Sequence, residues 1–269
     1  MSSSSPQSAL DVVREARERA ERDEHERRRS PSVEKAAEKR VTTLRARGRV
    51  GRFLFENSLS IAAIAFFVVS FAGQVLAGHR AHNEEGREHG QPAITLTAYL
   101  RSGDFVEATA ENWESEFLQM GLFVLLTAFL YQRGSSESKT IEEPDPVDQR
   151  PEEARDDEDA PGPVRRGGAA LWLYKHSLSI ALFALFVISF GMHAIGGAEA
   201  YSEEQEEHGA GPVSVLAYIA TTHFWFESFQ NWQSEFLSVG VLVLFSIWLR
   251  EQGSSQSKPV AAAHSDTGE

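Results

Sequence analysis

From Leu59 to Ala77 the chain carries no Asp, Glu, Lys or Arg, and Leu178 to Ile195 repeats that pattern. A bilayer core of roughly 30 Å is crossed by about 20 mostly apolar helical residues. A soluble four-helix bundle alternates polar and apolar faces, and Ile61 to Phe71 does not. Both runs therefore read as membrane spans. Two shorter apolar runs, Phe117 to Tyr131 and Phe236 to Leu249, each follow a helix-like stretch, Phe105 to Glu116 and Phe224 to Glu235. These stretches carry Trp113, Trp225 and Trp232, a residue type that favours the headgroup level. Each reads as one long helix whose first turns stand in the interface. The expected fold is an all-α membrane protein with four transmembrane helices, spanning about 59–77, 117–131, 178–195 and 236–249.

Sliding the sequence on itself by 119 positions aligns residues 53–139 with 172–258 without gaps, at about 36 identities in 87 positions. Ser58-Leu59-Ser60-Ile61-Ala62 returns as Ser177-Leu178-Ser179-Ile180-Ala181, and Glu88-His89-Gly90 as Glu207-His208-Gly209. Asn112-Trp113 and Ser115-Glu116-Phe117-Leu118 return as Asn231-Trp232 and Ser234-Glu235-Phe236-Leu237. Gapless identity over this length reads as a duplication. The expected domains are a charged tail (1–52), repeat 1 (53–139), a linker (140–171), repeat 2 (172–258) and a short tail (259–269).

Direction follows from basic residues near the span ends. Arg45, Arg47, Arg49 and Arg52 precede the first span, and Arg133 and Lys139 follow the second. Arg165, Arg166 and Lys175 precede the third, and Arg250 and Lys258 follow the fourth. Arg80, Arg87 and Arg101 lie between spans one and two, and no Lys or Arg lies between three and four. Both termini and the linker should face the cytoplasm, and both acidic loops outward. The repeats are then parallel, with a pseudo-two-fold axis along the membrane normal. The expected location is the cytoplasmic membrane of a bacterium.

Residues 1–52 hold fourteen basic and nine acidic residues, with a weak helical stripe at Leu10, Val13 and Ala20 that Pro31 interrupts. Arg45, Arg47, Arg49 and Arg52 suit anionic lipid. The segment 134–168 contains five prolines and Asp156-Asp157-Glu158-Asp159, too polar to bury a core. It reads as disordered, as does the tail after Lys258. A formal net charge of -13 argues against nucleic acid as a partner. With no cysteine, disulfides and thiolate chemistry are excluded. Lipid is the expected partner, and a homo-oligomer is left open.

Several polar residues stand out. Glu85 and His89, like Glu204 and His208, are four apart, which puts carboxylate and imidazole on one helix face where a divalent ion could bind. Glu116 and Glu235 sit where the second and fourth spans begin, and Gln74 and His193 are counterparts inside the first and third. Ionisable groups at membrane depth are costly and mark functional positions. A relay between His193 and Glu235 is conceivable in chemistry, although spacing does not bring them together. Trp113, Trp232, Tyr99 and Tyr218 suit interfacial anchoring. A short interfacial helix is expected at Ala93 to Leu100 and Val213 to Ala220. Asp104 or Thr222 is the expected N-cap of the helix that follows. No phosphate loop, zinc-protease helix or nucleophile elbow is present, and no cofactor is expected.

The motif set Asn83-Glu84-Glu85, Glu88-His89-Gly90-Gln91-Pro92, Tyr99-Leu100-Arg101-Ser102-Gly103, Asn112-Trp113-Glu114-Ser115-Glu116-Phe117-Leu118-Gln119 and Tyr131-Gln132-Arg133-Gly134-Ser135 resembles a bacterial membrane family of unknown function, DUF6766. The resemblance covers both copies, about 175 residues, and implies no activity. The second copy departs from it at Ala198 to Ser202 and at Ala210-Gly211.

The leading expectation is a non-enzymatic structural or scaffold component of the membrane. A small transporter or channel with a pathway between the repeats is the first alternative. A metal-binding membrane enzyme is the second.

Overall fold

The computed structural model describes residues 30–141 and 144–268, and every regular element among them is helical. The stripe at Leu10, Val13 and Ala20 lies outside the described residues. The chain divides into two compact units: one runs to Ala93 and takes in Glu142–Pro144, and the other comprises Ile94–Ile141 and Asp145–Glu269.

In the first unit, α1 (Pro31–Arg45) begins at the proline that the sequence suggested would break a helix. Proline is at home there, because the first helical N–H has no intrahelical partner to lose. Short α2 (Arg49–Glu56) carries Arg49 and Arg52, the latter paired with Glu56 at 2.7 Å. Long α3 (Ser58–Glu88) holds the first apolar run. Its Leu59, Phe66 and Val69 are 82%, 75% and 72% exposed, an apolar surface of the kind that marks a protein or membrane contact.

The second unit contains α4 (Leu96–Tyr99), α5 (Gly103–Thr127), α6 (Gly162–Arg166), α7 (Gly168–Lys175), α8 (Ser177–Glu207), α9 (Val215–Ile219) and α10 (Thr222–Phe245). The main contact is α5 along α8, with α10 against α5 and α9 tucked between α8 and α10. The core is Ala194, Ala198, Tyr218 and Phe224, with Phe190, Tyr201 and Ile219 around it. Glycine sets the close approach. A methyl on Gly103 would lie 2.7 Å from the Gly196 carbonyl, and one on Gly196 would lie 2.7 Å from the Glu107 amide. Only a missing side chain lets two backbones come this near.

Helix boundaries recur at the 119-residue offset: α3 and α8 are each 31 residues, and α2 and α7 each eight. A 31-residue helix is about 46 Å long, longer than a bilayer core. The acidic stretches after the apolar runs are therefore helix rather than loop. They stop where His89 Nδ1 meets the Glu85 carbonyl (3.0 Å) and His208 Nδ1 the Glu204 carbonyl (2.8 Å). Gly90 and Gly209 follow, with φ of 76° and 77°, the left-handed turn that ends helices.

Among the described residues, α3 and α8 are the two helices long and apolar enough to cross a membrane. α5 opens with polar turns and α10 with the aromatic run Phe224-Trp225-Phe226, and the two end at Thr127 and Phe245, four residues short of the expected span ends. Their N-caps are Ser102 and Thr221, whose hydroxyls accept from the Phe105 amide (3.4 Å) and the Phe224 amide (3.3 Å). The helices start earlier than expected, which moves Asp104 and Thr222 into the first turn; there the Asp104 charge suits the helix dipole.

The expected linker carries 3-10 turns at Pro146–Asp148 and Pro151–Ala154, then α6 and α7, around a small core of Ala160, Val164 and Leu171. The tail after Lys258 is held by hydrogen bonds. Lys258 Nζ donates to the Asp266 carbonyl (2.7 Å), and the Gly268 amide donates to the Ser135 carbonyl (3.0 Å). Backbone carbonyls presented to one ammonium give these polar segments a local order that composition does not reveal.

Candidate functional site

Glu107, Glu111 and Glu114 fall at i, i+4 and i+7 on α5 and share one face. That face meets α8 at His193. Both Glu114 and His193 have fully buried side chains, and His193 Nδ1 lies 2.7 Å from Glu114 Oε2. Trp232 on α10 donates its indole N–H to Glu114 Oε1 at 3.0 Å. The other ring nitrogen, His193 Nε2, is 3.4 Å from Glu227 Oε2 of α10. Tyr218 of α9, itself buried, has its hydroxyl oxygen 2.7 Å from the same Glu227 oxygen and 2.6 Å from Glu107 Oε1. His223 Nδ1 stands 3.3 Å from Glu227 Oε1. Four helices thus build an unbroken polar chain: Trp232, Glu114, His193, Glu227, Tyr218, Glu107.

Gly197 makes room for it. A methyl there would lie 2.5 Å from both the Tyr218 hydroxyl and Glu107 Oε1. Phe224 stacks on the His193 ring, with centroids 4.7 Å apart, and closes it from water.

A phenol has one proton to donate. Tyr218 stands between two carboxyl groups at hydrogen-bonding distance, and its single proton can serve one of them at a time. Burial pushes Glu107 above the usual carboxylate range, against the opposing hydrogen bond from Tyr218. Burial also drives Glu111 up to about 7, with the His193 charge opposing and Glu227 adding to the rise. On Glu227, burial pushes upward but hydrogen bonds from His193 and Tyr218 outweigh it, and its carboxyl lies below the usual range. The tyrosine is pushed far up, first by burial and then by its two carboxylate partners. The ligand atoms of Glu107, His193 and Glu227 all lie within 4.8 Å of one another.

His193 is the one expected polar-site residue in this cluster. It meets Glu114 and Glu227, not Glu235. Glu235 is instead pushed above the usual carboxylate range by burial and then by the nearby charge of Glu116. Ser115 and Ser234 bond locally to the Asn112 and Asn231 carbonyls. Gln74 lies on α3 of the first unit and is exposed. Glu85, His89, Glu204 and His208 are exposed, and both imidazoles are engaged with backbone carbonyls at helix ends. Tyr218 and Trp232, expected as interfacial anchors, are instead cluster members, because their polar ends find carboxylates inside the protein. Tyr99 packs edge-on against Phe105, centroids 5.4 Å apart, and Trp113 is half-buried.

Glu107, Glu111, Glu114 and Glu227 escape a reading guided by what the copies share. At the 119-residue offset they face Phe226, Gln230, Gln233 and Ala108, and His193 faces Gln74. The legible signal is the three-glutamate stripe on a helix otherwise rich in apolar residues. No curated protein and no solved structure matches the chain. A family profile described as a domain of unknown function covers residues 50–269, and the chain belongs to that family, DUF6766.

Proposed function

We propose that this chain is a multi-pass protein of a bacterial cytoplasmic membrane whose second unit binds a cation. The observation that carries the reading is the charge balance of the buried cluster. Four carboxylates, Glu107, Glu111, Glu114 and Glu227, surround one imidazole, His193. Uncompensated charge in a protein interior costs several kcal/mol per ion, and only protons or a bound cation neutralise this excess. Apolar packing of the same helices is often at least as stable, so the cluster favours a role beyond holding the helices together. Binding is the activity inferred, from the clustering of carboxylates around His193.

The membrane arrangement proposed with it has four spans as two parallel repeats, near 59–77, 117–131, 178–195 and 236–249, with both termini cytoplasmic. It is supported by the lack of charge in the apolar runs and by the basic residues flanking their inner ends. His193 would then lie close to the outer end of the third span.

The test is thermal unfolding of the detergent-solubilised protein after dialysis against a chelator, with Na⁺, K⁺, Mg²⁺, Ca²⁺, Zn²⁺ or Co²⁺ restored singly. At least one ion should raise the midpoint, as expected for a ligand bound only by the folded state. The double change Glu107→Gln, Glu227→Gln should abolish the rise. An unchanged midpoint with every ion refutes the reading.

A further inference from the structure

We infer that Glu107, Glu227 and the Nε2 of His193 bind a divalent first-row transition metal ion, with the Tyr218 hydroxyl in hydrogen-bond contact with both carboxylates. The inference rests on the cation-binding reading above and names the class of ion.

The orientation of the histidine comes first. Its Nδ1 is held at 2.7 Å by a fully buried carboxylate, Glu114, which is itself fixed by the Trp232 indole at 3.0 Å. A carboxylate behind the imidazole is the usual backing of a metal-ligating histidine: it fixes the tautomer with the proton on Nδ1 and leaves the Nε2 lone pair for the ion. Here Nε2 faces Glu227 and Glu107.

The second point is distance. A charge-assisted N–H···O⁻ bond closes to about 2.7–2.9 Å, as the Glu114 contact does. His193 Nε2 and Glu227 Oε2 stand 3.4 Å apart, while Glu114 holds Nδ1 and Phe224 stacks on the ring face. Two ligands on one tetrahedral ion at about 2.0–2.1 Å are separated by roughly 3.4 Å. The spacing is long for a hydrogen bond and right for neighbours on a shared ion.

Ligand type then selects the ion. One imidazole with two carboxylates suits Zn²⁺, Co²⁺, Mn²⁺ or Fe²⁺. Mg²⁺ and Ca²⁺ favour all-oxygen sets, and soft Cu⁺ favours sulfur, which Cys-free surroundings do not offer. Two carboxylates also match the charge of one divalent ion, leaving Glu114 to its two N–H donors. The ligands come from α5, α8 and α10, so the ion would tie three helices together.

Co²⁺ titration of the full chain in detergent, after chelator dialysis, provides the test. One Co²⁺ per chain should bind, with visible d–d absorption and a raised unfolding midpoint. Glu107→Gln and Glu227→Gln should each abolish the band. Glu114→Gln should keep the stoichiometry while weakening binding about 10–100-fold, the usual loss when a backing carboxylate is removed. It remains informative if the ligand variants fail to fold. His89→Gln and His208→Gln should change nothing. Stabilisation by Mg²⁺, Ca²⁺, Na⁺ or K⁺ without Co²⁺ binding overturns the ion class and leaves the cation reading standing. A Co²⁺ band that survives both ligand changes overturns the assigned site. No response to any ion removes both.

Discussion

Glu114 is the residue on which the buried chain turns. It receives the Trp232 indole on one oxygen and faces the His193 ring on the other, with no exposed surface. Glu114→Ala strands both partners in an apolar interior, and a broken buried ion pair costs about 3–5 kcal/mol. Tyr218→Phe is milder, because it removes a single hydroxyl but lets two carboxylates confront each other; about 1–3 kcal/mol is expected. Unfolding midpoints in one detergent should rank wild type above Tyr218→Phe above Glu114→Ala. Glu111 supplies a pH test. Its carboxyl holds a proton up to about 7 in the folded chain, against 4.5 ordinarily. Between those values the folded state binds more protons than the unfolded one, so stability present at acid pH is lost as pH rises through about 7. Metal-free protein should unfold more easily at pH 8 than at pH 5, and Glu111→Gln should flatten that difference. An equal slope in the variant would locate the titration elsewhere. The sequence makes Glu116, Glu235 and the two Glu-His pairs conspicuous because both copies keep them. The buried cluster uses positions where the copies differ, and sequence spacing does not say that a stripe on α5 meets a lone histidine on α8.

At the level of elements, glycine decides how closely α5 and α8 meet. Gly197→Ala puts a methyl 2.5 Å from the Tyr218 hydroxyl and Glu107 Oε1. The neighbours that would have to move are those held by the cluster, so overpacking of about 1–3 kcal/mol is expected, together with lost Co²⁺ binding. Gly121 and Gly240 occupy the same place in the two copies and make a controlled pair. A methyl at Gly121 meets the Phe183 ring at 3.4 Å, whereas one at Gly240 meets nothing within 4 Å. Alanine is favoured over glycine inside a helix by about 1 kcal/mol. Gly240→Ala should therefore stabilise the protein, Gly121→Ala should be close to neutral, and Gly197→Ala should destabilise it. Chemical denaturation in micelles would check that order. Helix existence was readable from apolar runs and turn residues. Helix ends were less so: hydroxyl caps at Ser102 and Thr221 compete with Asp104 and Thr222, which look equally suitable. The order in residues 146–175 and after Lys258 depends on carbonyl and amide pairing that composition does not encode.

For the whole molecule, the direction of α8 fixes how many times the chain crosses. Suppose α3 runs outward from its arginine-rich start. If α5 does not cross, the chain is still outside when it reaches α8, which then runs inward. That would place Arg165, Arg166 and Lys175 outside and the acidic end, Glu203 to Glu206, inside, against the preference for basic residues on the cytoplasmic side. If α5 crosses, α8 runs outward like α3 and the charge pattern is satisfied at both copies. Such a crossing would carry the polar first turns of α5 at the membrane surface, with Glu107, Glu111 and Glu114 turned toward α8, α9 and α10. The chain has no native cysteine, so single cysteines report sidedness without background. In intact cells an impermeant maleimide should label Glu85→Cys and Glu204→Cys, both exposed positions, and should reach Val260→Cys only after the membrane is opened. Labelling of Glu85→Cys but not Glu204→Cys would mean that α3 and α8 alone cross, in opposite directions. The two parallel repeats would then be untenable, because one copy would present its acidic helix end to the cytoplasm.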